Sequence, residues 1–498
     1  MHTYKSFAFS HNGACCHLCS IFRIFCGNVF ILLPLFGAID YIATWKWLHN
    51  FKLTRFYVDG IYKQLPETWY QSLNALTDEH LLLLLQCIEK RSRLRTTFSM
   101  LPESLLDFLE DTNRLTMARN LSDAVAELPS DLQTCLGFSY EERGESFMLQ
   151  ECQIPRNLTY GMSPKKYHEV SRMAVIVSQI CRQQDIQYVV DLGAGMGYLD
   201  CVMCDVYGLN VIAVECDYIR TESATKRAIK HTRKRPMRGR LFHHTLKIES
   251  NEQCAADLQA ILEQSGADRF CLVGLHCCGD FTPVFLDLFA KLPLARAMVC
   301  VGCCYHLMQY DQSGSHVQRC PLSSSARTIW NDVLKSNSML VSVASLRLAT
   351  QETRVRWLNE LDAHAHCHSF RALLEAAAEK GGFLIRKKRR HASTDEYGID
   401  FDAFVRSVFK NYQIEGCTDE SGFVGLLSEC YTTFHEPYYR TLRIFRVLQG
   451  LIQGVLETFI TIDRLLYIRE DCDIDTCCVI PVFDEAQSPR NLSLVSVK

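Results

Sequence analysis

Along the 498-residue chain, hydrophobic positions follow first a helical and then a strand period. Over residues 40–151, apolar residues recur at helical spacing. The run Leu81-Leu82-Leu83-Leu84-Leu85 and the segment 101–109, with charges between its apolar positions, predict helices. Leu65-Pro66-Glu67-Thr68-Trp69 reads as a turn entering another. Short β-branched and apolar runs then take over at 186–190, 209–214, 239–244, 269–275 and 297–301. These predict five strands of an open parallel α/β sheet. Ser163 and Pro164 suit the cap and first turn of a helix that runs to about Arg182 and feeds the first strand.

Residues 309–439 are too many for a simple crossover. They predict an insertion, with helices around 326–334 and 368–380. A third long pattern, residues 443–469, predicts one helix with a wide apolar stripe. Gln453, Glu457, Asp463 and Arg464 within it favour a core helix over a membrane span. Residues 478–483 and 492–497, joined through Ser488-Pro489-Arg490-Asn491, predict a closing antiparallel hairpin. His364, His366 and His368 alternate with Ala365 and Cys367 in what reads as a loop before a helix, with metal binding as the other reading.

Residues 21–39 are mostly apolar but interrupted by Arg23, Asn28 and Pro34. A membrane contact, a signal-like segment and an ordinary extension all remain open there. The division expected is therefore an extension (1–39), a helical accessory region (40–155), the first part of the core (156–310), a helical insertion (311–440) and the last part of the core (441–498).

Composition adds little to this picture. With 48% hydrophobic and 22% charged residues the chain is ordinary globular protein, and a net charge of −3 says nothing about partners. The 25 cysteines are informative. Several are adjacent, as in Cys15-Cys16, Cys277-Cys278, Cys303-Cys304 and Cys477-Cys478, which suits buried or metal-binding thiols better than a secreted disulfide framework. An intracellular location, cytoplasmic or nuclear, is expected.

The candidate chemistry centres on the end of the first strand. Asp191-Leu192-Gly193-Ala194-Gly195-Met196-Gly197 is a glycine turn that permits φ > 0 and close backbone approach. An acid, Glu215, ends the second strand, where a carboxylate can accept from ribose hydroxyls. A nicotinamide or flavin fingerprint would carry G-x-G-x-x-G and an apolar residue at position 191, and a purely structural turn would not need Glu215. The combination resembles motifs I and II of S-adenosylmethionine-dependent methyltransferases. That resemblance implies S-adenosylmethionine bound by Asp191, Gly193, Ala194, Gly195, Gly197, Glu215 and Cys216.

In an open parallel sheet, ligands lie beyond the carboxyl ends of the strands. His276, Cys277, Cys278, Cys303, Cys304, Tyr305 and His306 should gather there. His276, Tyr305 and His306 are the catalytic candidates, the histidines as bases. The cysteines read as small residues packing the strand ends. The alternative is a zinc site of Cys277, Cys303, Cys304 and His306, although adjacent cysteines seldom ligate one ion. Lys165, Lys166 and His168 are candidates for contact with a carboxylate or a phosphate, and the basic run with Arg233, Lys234 and Arg235 for contact with nucleic-acid phosphates, and so with RNA. A second basic run spans residues 386–390.

MSPKKYHE from Met162, VVDLGAGMGYL from Val189, GLHCCGD from Gly274, VGCCYHLM from Val301 and SPRN from Ser488 come in order. Together they resemble the methyltransferase-like 25 family, also described as ribosomal RNA adenine dimethylase domain-containing proteins. The resemblance runs from about residue 39 onward. It implies a Rossmann-like class I methyltransferase sheet, mostly parallel with a C-terminal antiparallel hairpin, plus the N-terminal helical region and the helical insertion. Adenine dimethylases carry an Asn-x-Pro-Tyr type motif after the fourth strand. The chain has His276-Cys277-Cys278-Gly279 there, more similar to tRNA 2′-O-methyltransferases acting on the acceptor stem. The rival to an enzyme is a methyltransferase-fold scaffold that binds RNA or protein.

Overall fold

The computed structural model describes residues 28–89, 94–126, 128, 130–136, 152–233, 236–312, 316–333, 340–350, 354–388 and 398–498. The strands are β1 (Tyr188–Leu192), β2 (Asn210–Glu215), β3 (Leu241–Thr245), β4 (Phe270–Cys278), β5 (Ala295–Cys303), β6 (Leu384–Lys387), β7 (Tyr412–Glu415), β8 (Cys477–Pro481) and β9 (Leu492–Val497). Seven of them form one sheet in the order β3-β2-β1-β4-β5-β9-β8. β1 to β5 are parallel, and β9 runs antiparallel to both β5 and β8. This is the expected Rossmann-like sheet with its closing hairpin.

All five residues of β1 are buried, because helices cover both faces of the sheet. Val190 and Leu192 face a layer that includes Glu252–Ser265, Phe281–Lys291 and the long helix Glu436–Leu466. Val189 faces the opposite layer, built on Pro164–Gln183 and Tyr198–Tyr207. The strand order reverses between β1 and β4, which opens a crevice at their carboxyl ends. Ser163 caps Pro164–Gln183 by accepting from the Lys166 amide, with Pro164 at its first position.

The helix Glu436–Leu466 is a spine for the second layer. Asn28–Thr44, Glu103–Leu115, Val343–Ala349 and Arg354–Gly381 pack along it. Among its buried polar side chains, Asp463 and Gln449 are matched by backbone partners. Asp463 accepts from the Leu322 amide (2.7 Å), the Ser323 amide (2.8 Å) and the Ser323 hydroxyl (2.9 Å), and Gln449 donates to the Leu48 carbonyl (3.0 Å). That pairing lets polar residues lie in a core helix.

Leu35, Ala38, Ile39 and Ile42 of Asn28–Thr44 are buried in the same layer. Residues 21–27 lie outside the described residues. Among the described residues, no helix is long and apolar enough to cross a membrane.

Two expectations for the insertion need correction. It carries a small antiparallel hairpin, β6 with β7, besides its helices. His364, His366 and His368 lie inside the helix Arg354–Gly381, not in a loop before it. The buried stripe Leu361, Ala365, Phe370, Leu373 and Ala377 extends the helix through them.

Two buried imidazoles in this layer make a pH prediction. His49 bonds the Ile42 carbonyl through Nε2 and Ser345 Oγ through Nδ1, both at 2.9 Å. Burial lowers it to about 4, and burial likewise lowers His435 to about 4. Both rings are neutral in the fold and titrate near 6.5 when unfolded. The unfolded chain therefore binds more protons between these values, so this stability is present above about pH 6.5 and lost as pH falls towards 4. For His49 the full effect is on the order of 3 kcal/mol. Denaturant unfolding at pH 7 and pH 5 should show a smaller loss in His49→Gln than in the wild type. An equal loss would place the titrating groups elsewhere.

Candidate functional site

The turn after β1 takes left-handed backbone at Gly193 (φ 83°), Gly195 (φ 60°) and Gly197 (φ 72°). A Cβ on Gly193 would meet the Phe281 ring at 3.3 Å, and one on Gly197 would meet the Ala224 Cβ at 3.0 Å. A Cβ on Gly195 would find only the Gly193 carbonyl oxygen, at 4.0 Å. The turn is thus packed beneath its outer glycines and open above its middle one.

Glu215 comes up beside that opening. Its Oε2 accepts from the Gly195 amide (2.8 Å), and its Oε1 from the Asp217 amide (3.0 Å) and the Cys216 thiol (3.2 Å). Backbone donors hold the carboxylate at the loop; Oε2, with one donor, can accept a further hydroxyl, and Oε1 can do so once the Cys216 thiol turns away. A ribose diol fits that pair of oxygens above the Gly195 opening. Ala194 donates its amide to the Val214 carbonyl, which ties the turn to β2.

Asp191 lies beneath the turn; among the described residues, its Oδ1 and both oxygens of Asp200 have no hydrogen-bond partner. Burial raises both carboxyls, and the Asp191 charge raises Asp200 further. Asp200 was not among the residues expected from the sequence. It sits on a helix whose first-turn acid would ordinarily read as a dipole contact.

β4 pairs Leu275 with Val301 and Cys277 with Gly302, so His276 is the extra residue of a bulge. Its φ is 69°, unusual for a side chain with a Cβ. Bulges re-aim side chains. Here His276 Nε2 meets Glu169 Oε2 at 3.0 Å, on the helix Pro164–Gln183. Glu169 is 1% exposed, also accepts from Ser488 Oγ (2.8 Å), and has Lys166 at 3.3 Å and Lys165 at 3.7 Å. Burial opposes its charge, but His276, Lys166 and Ser488 outweigh that and hold the carboxyl down at about 2. The two lysines thus neutralise a buried anion. Glu169 lay within the MSPKKYHE motif, but its partner on β4 is 107 positions away, so no local spacing reveals the pair.

Other candidates fall elsewhere. His168 is buried, and its Nε2 accepts from the Asp484 amide at 2.9 Å, so it serves the C-terminal loop and not a phosphate. Tyr305 is 2% exposed and donates to Glu457 Oε1 at 3.2 Å, with Arg464 over its ring at 4.8 Å. It belongs to the core and not to an acceptor surface. His306 lies partly buried, 3.4 Å from Thr350 Oγ1 through Nδ1, and burial pushes its pKa down.

Arg233 ends the helix Tyr218–Thr232, whose start follows β2. The following residues 236–240 pack on Gly208 and Leu209, which precede β2. That is the amino-terminal end of the strands, opposite Glu215. Arg227 and Arg240 of the same run are engaged within the fold, with Tyr198 and Tyr188. Lys234 and Arg235 lie outside the described residues. In the second basic run, Arg386 pairs with Glu415 at 2.6 Å, and residues 389 and 390 lie outside the described residues.

The alternation along β4 sends Cys277 into the core, beside Gly274 and Phe285, and Cys278 outwards. Cys278 Sγ lies 3.1 Å from Cys303 Sγ, and donation from Cys303, first among its influences, brings the Cys278 thiol down to about 6. The sulfurs of Cys278, Cys303 and Cys304 all lie within 4.8 Å of one another. Cys277 and His306, expected in such a cluster, are not in it.

Comparison with known proteins bears on the same segment. Residues 165–311 match a family model described as a methyltransferase domain. They span helix Pro164–Gln183 through β5, and so include Glu169, Glu215, His276 and the three thiols. The chain carries a methyltransferase domain. It is 25% identical over 246 residues to the probable methyltransferase-like protein 25 of Mus musculus, covering 46% of this chain and 37% of that protein. The Homo sapiens protein of the same description is 26% identical over 246 residues, with 36% of its length covered. The match thus spans little more than a third of either relative. A crystal structure of coclaurine N-methyltransferase bound to N-methylheliamine and SAH aligns over 82% of this chain and 95% of its own, at a TM-score of 0.23 and 14% identity. The fold assignment rests on the strand order of the methyltransferase domain itself.

Proposed function

We propose that the chain is an S-adenosylmethionine-dependent methyltransferase whose acceptor lies at the carboxyl ends of β4 and β5. The observation that carries this reading is Glu215, held by the Gly195 and Asp217 amides beside the one open glycine of the turn. Bound there, S-adenosylmethionine would supply an electrophilic sulfonium methyl. Glu215 receives the ribose hydroxyls, and the Gly193–Gly197 backbone lets the ligand lie close.

His276 takes the acceptor's proton, and Glu169 is its positioning residue. The carboxylate fixes Nε2, so Nδ1 is the ring atom left for an incoming group. An oxygen or nitrogen acceptor fits this arrangement, and an RNA ribose hydroxyl is the first candidate. The free thiols among the described residues are consistent with a reducing, intracellular setting, cytoplasmic or nuclear.

The test is calorimetric titration of the full chain with S-adenosylmethionine and its demethylated product, followed by transfer of labelled methyl into small structured RNAs and into protein. Binding with label in RNA supports the whole reading. Label in protein alone overturns the RNA assignment. Folded protein that binds neither ligand overturns the enzyme reading in favour of a scaffold.

Once an acceptor is in hand, Glu169→Gln should lower kcat about ten- to a hundredfold, because the imidazole loses its orientation. KM and cofactor affinity should change little, and Glu169→Asp should recover part of the rate. A loss confined to KM would give Glu169 a binding role instead.

A further inference from the structure

The thiols at the ends of β4 and β5 are more than strand-end packing. Cys278 and Cys303 are register partners on adjacent parallel strands, which brings their side chains to the same face. Cys304 follows directly, and in extended backbone it would point the other way. Its φ of 47° and ψ of 45° break that alternation. Left-handed backbone is costly for a residue with a Cβ, and here it brings a third sulfur to the first two.

The turn that holds the cluster is itself tightly built. Gly279 has a φ of 55°, and a Cβ there would lie 2.8 Å from the Leu307 backbone. Its amide donates to the Cys303 carbonyl at 3.2 Å. Arg490 donates to the Thr350 carbonyl at 2.5 Å, and its positive charge acts on both Cys278 and Cys304.

We propose that Cys278, Cys303 and Cys304 are a three-thiolate site for a thiophilic divalent cation of the zinc class. Sulfurs about 2.3 Å from one tetrahedral ion stand somewhat under 4 Å apart. The present separations, all within 4.8 Å and the shortest 3.1 Å, bracket that distance. Binding releases the remaining thiol protons as three thiolates form bonds to the ion. The complex carries one net negative charge, which Arg490 offsets. Three protein ligands is the number that leaves a coordination position for water or a substrate atom. This inference does not depend on the methyl donor.

The probe is Cd²⁺ added to fully reduced, full-length protein, read by the sulfur-to-cadmium charge-transfer absorption in the ultraviolet. One equivalent should saturate the band, and Zn²⁺ should compete it away. Cys278→Ser and Cys304→Ser should each weaken Cd²⁺ binding at least tenfold, with circular dichroism confirming the fold, whereas Cys417→Ser in the insertion should leave it unchanged. The proposal is overturned by reduced wild-type protein that gives no band. It is also overturned by a band that survives Cys304→Ser. Mass spectrometry showing a Cys278–Cys303 disulfide that regenerates in place of metal uptake would make the pair a redox couple instead. The wild-type titration decides even where a variant does not fold.

Discussion

Replacing Glu215 with alanine should weaken binding of S-adenosylmethionine by about a hundredfold or more while leaving the protein folded. Two charge-assisted hydrogen bonds to a ribose diol, at roughly 1.5–3 kcal/mol each, set that scale. A further effect adds to it. The same carboxylate accepts from the Gly195 and Asp217 amides, so its removal also releases the loop from its binding shape. Gly195→Arg should do the same by another route. Its side chain would project through the open face above the turn, meeting little of the protein itself. Left-handed backbone adds strain of about 1–2 kcal/mol, small enough for the fold to survive. Calorimetric titration of both variants is the check. Unchanged affinity in both, with unchanged melting temperatures, would move the cofactor site away from the end of β1.

Arg119→Ala should cost about 3–5 kcal/mol of stability, the scale for breaking a buried ion pair from one side. Arg119 lies 2.5 Å from Glu457 Oε2 and donates to Asn491 Oδ1 at 3.1 Å, and the Asn491 amide donates back to the Arg119 carbonyl at 2.9 Å. Tyr305 meets the other oxygen of Glu457. One network therefore joins the N-terminal helices, the long helix, the segment after β5 and the start of β9. The Glu457 side chain is only 4% exposed, so alanine at 119 leaves a carboxylate in the core without its cation, still bonded to the Tyr305 phenol. The double change Arg119→Met with Glu457→Leu should recover much of the loss, since an apolar pair of similar volume leaves no uncompensated charge. Denaturant unfolding of the single and double variants measures both. A cost below about 1 kcal/mol for Arg119→Ala would mean that water reaches the pair.

The parts of the fold legible beforehand were those with a local signal. The β1 turn, the strand ends near Glu215 and Cys303, the Ser163 cap and the closing hairpin all announce themselves by period or by glycine. The methyltransferase resemblance rested on these same segments. What was not legible depends on distant pairing. Glu169 reads as one more helix acid until the bulge in β4 turns His276 towards it. Tyr305 and His168 looked accessible because their neighbours carry chemistry, yet each is buried and bonded to a segment more than 150 positions away. Arg233 sits in a basic run that suggested phosphate contact, but chain direction carries that loop to the amino-terminal ends of the strands. Adjacent cysteines seldom ligate one ion, and it is the left-handed backbone at Cys304 that brings its sulfur to those of Cys278 and Cys303.

The strand order also dictates when the sheet can be finished. β5 is completed at Cys303, but the strand that covers its outer edge, β9, begins at Leu492. Roughly 190 residues must leave the ribosome in between, about 10–40 s at ordinary translation rates. For that interval β5 is an open edge of Val299, Cys300 and Val301, a template for pairing with any other extended chain. The newborn protein therefore passes through a stage at which it is most exposed to aggregation and most in need of chaperones. Slowed translation of the insertion should lengthen that stage without altering the finished molecule.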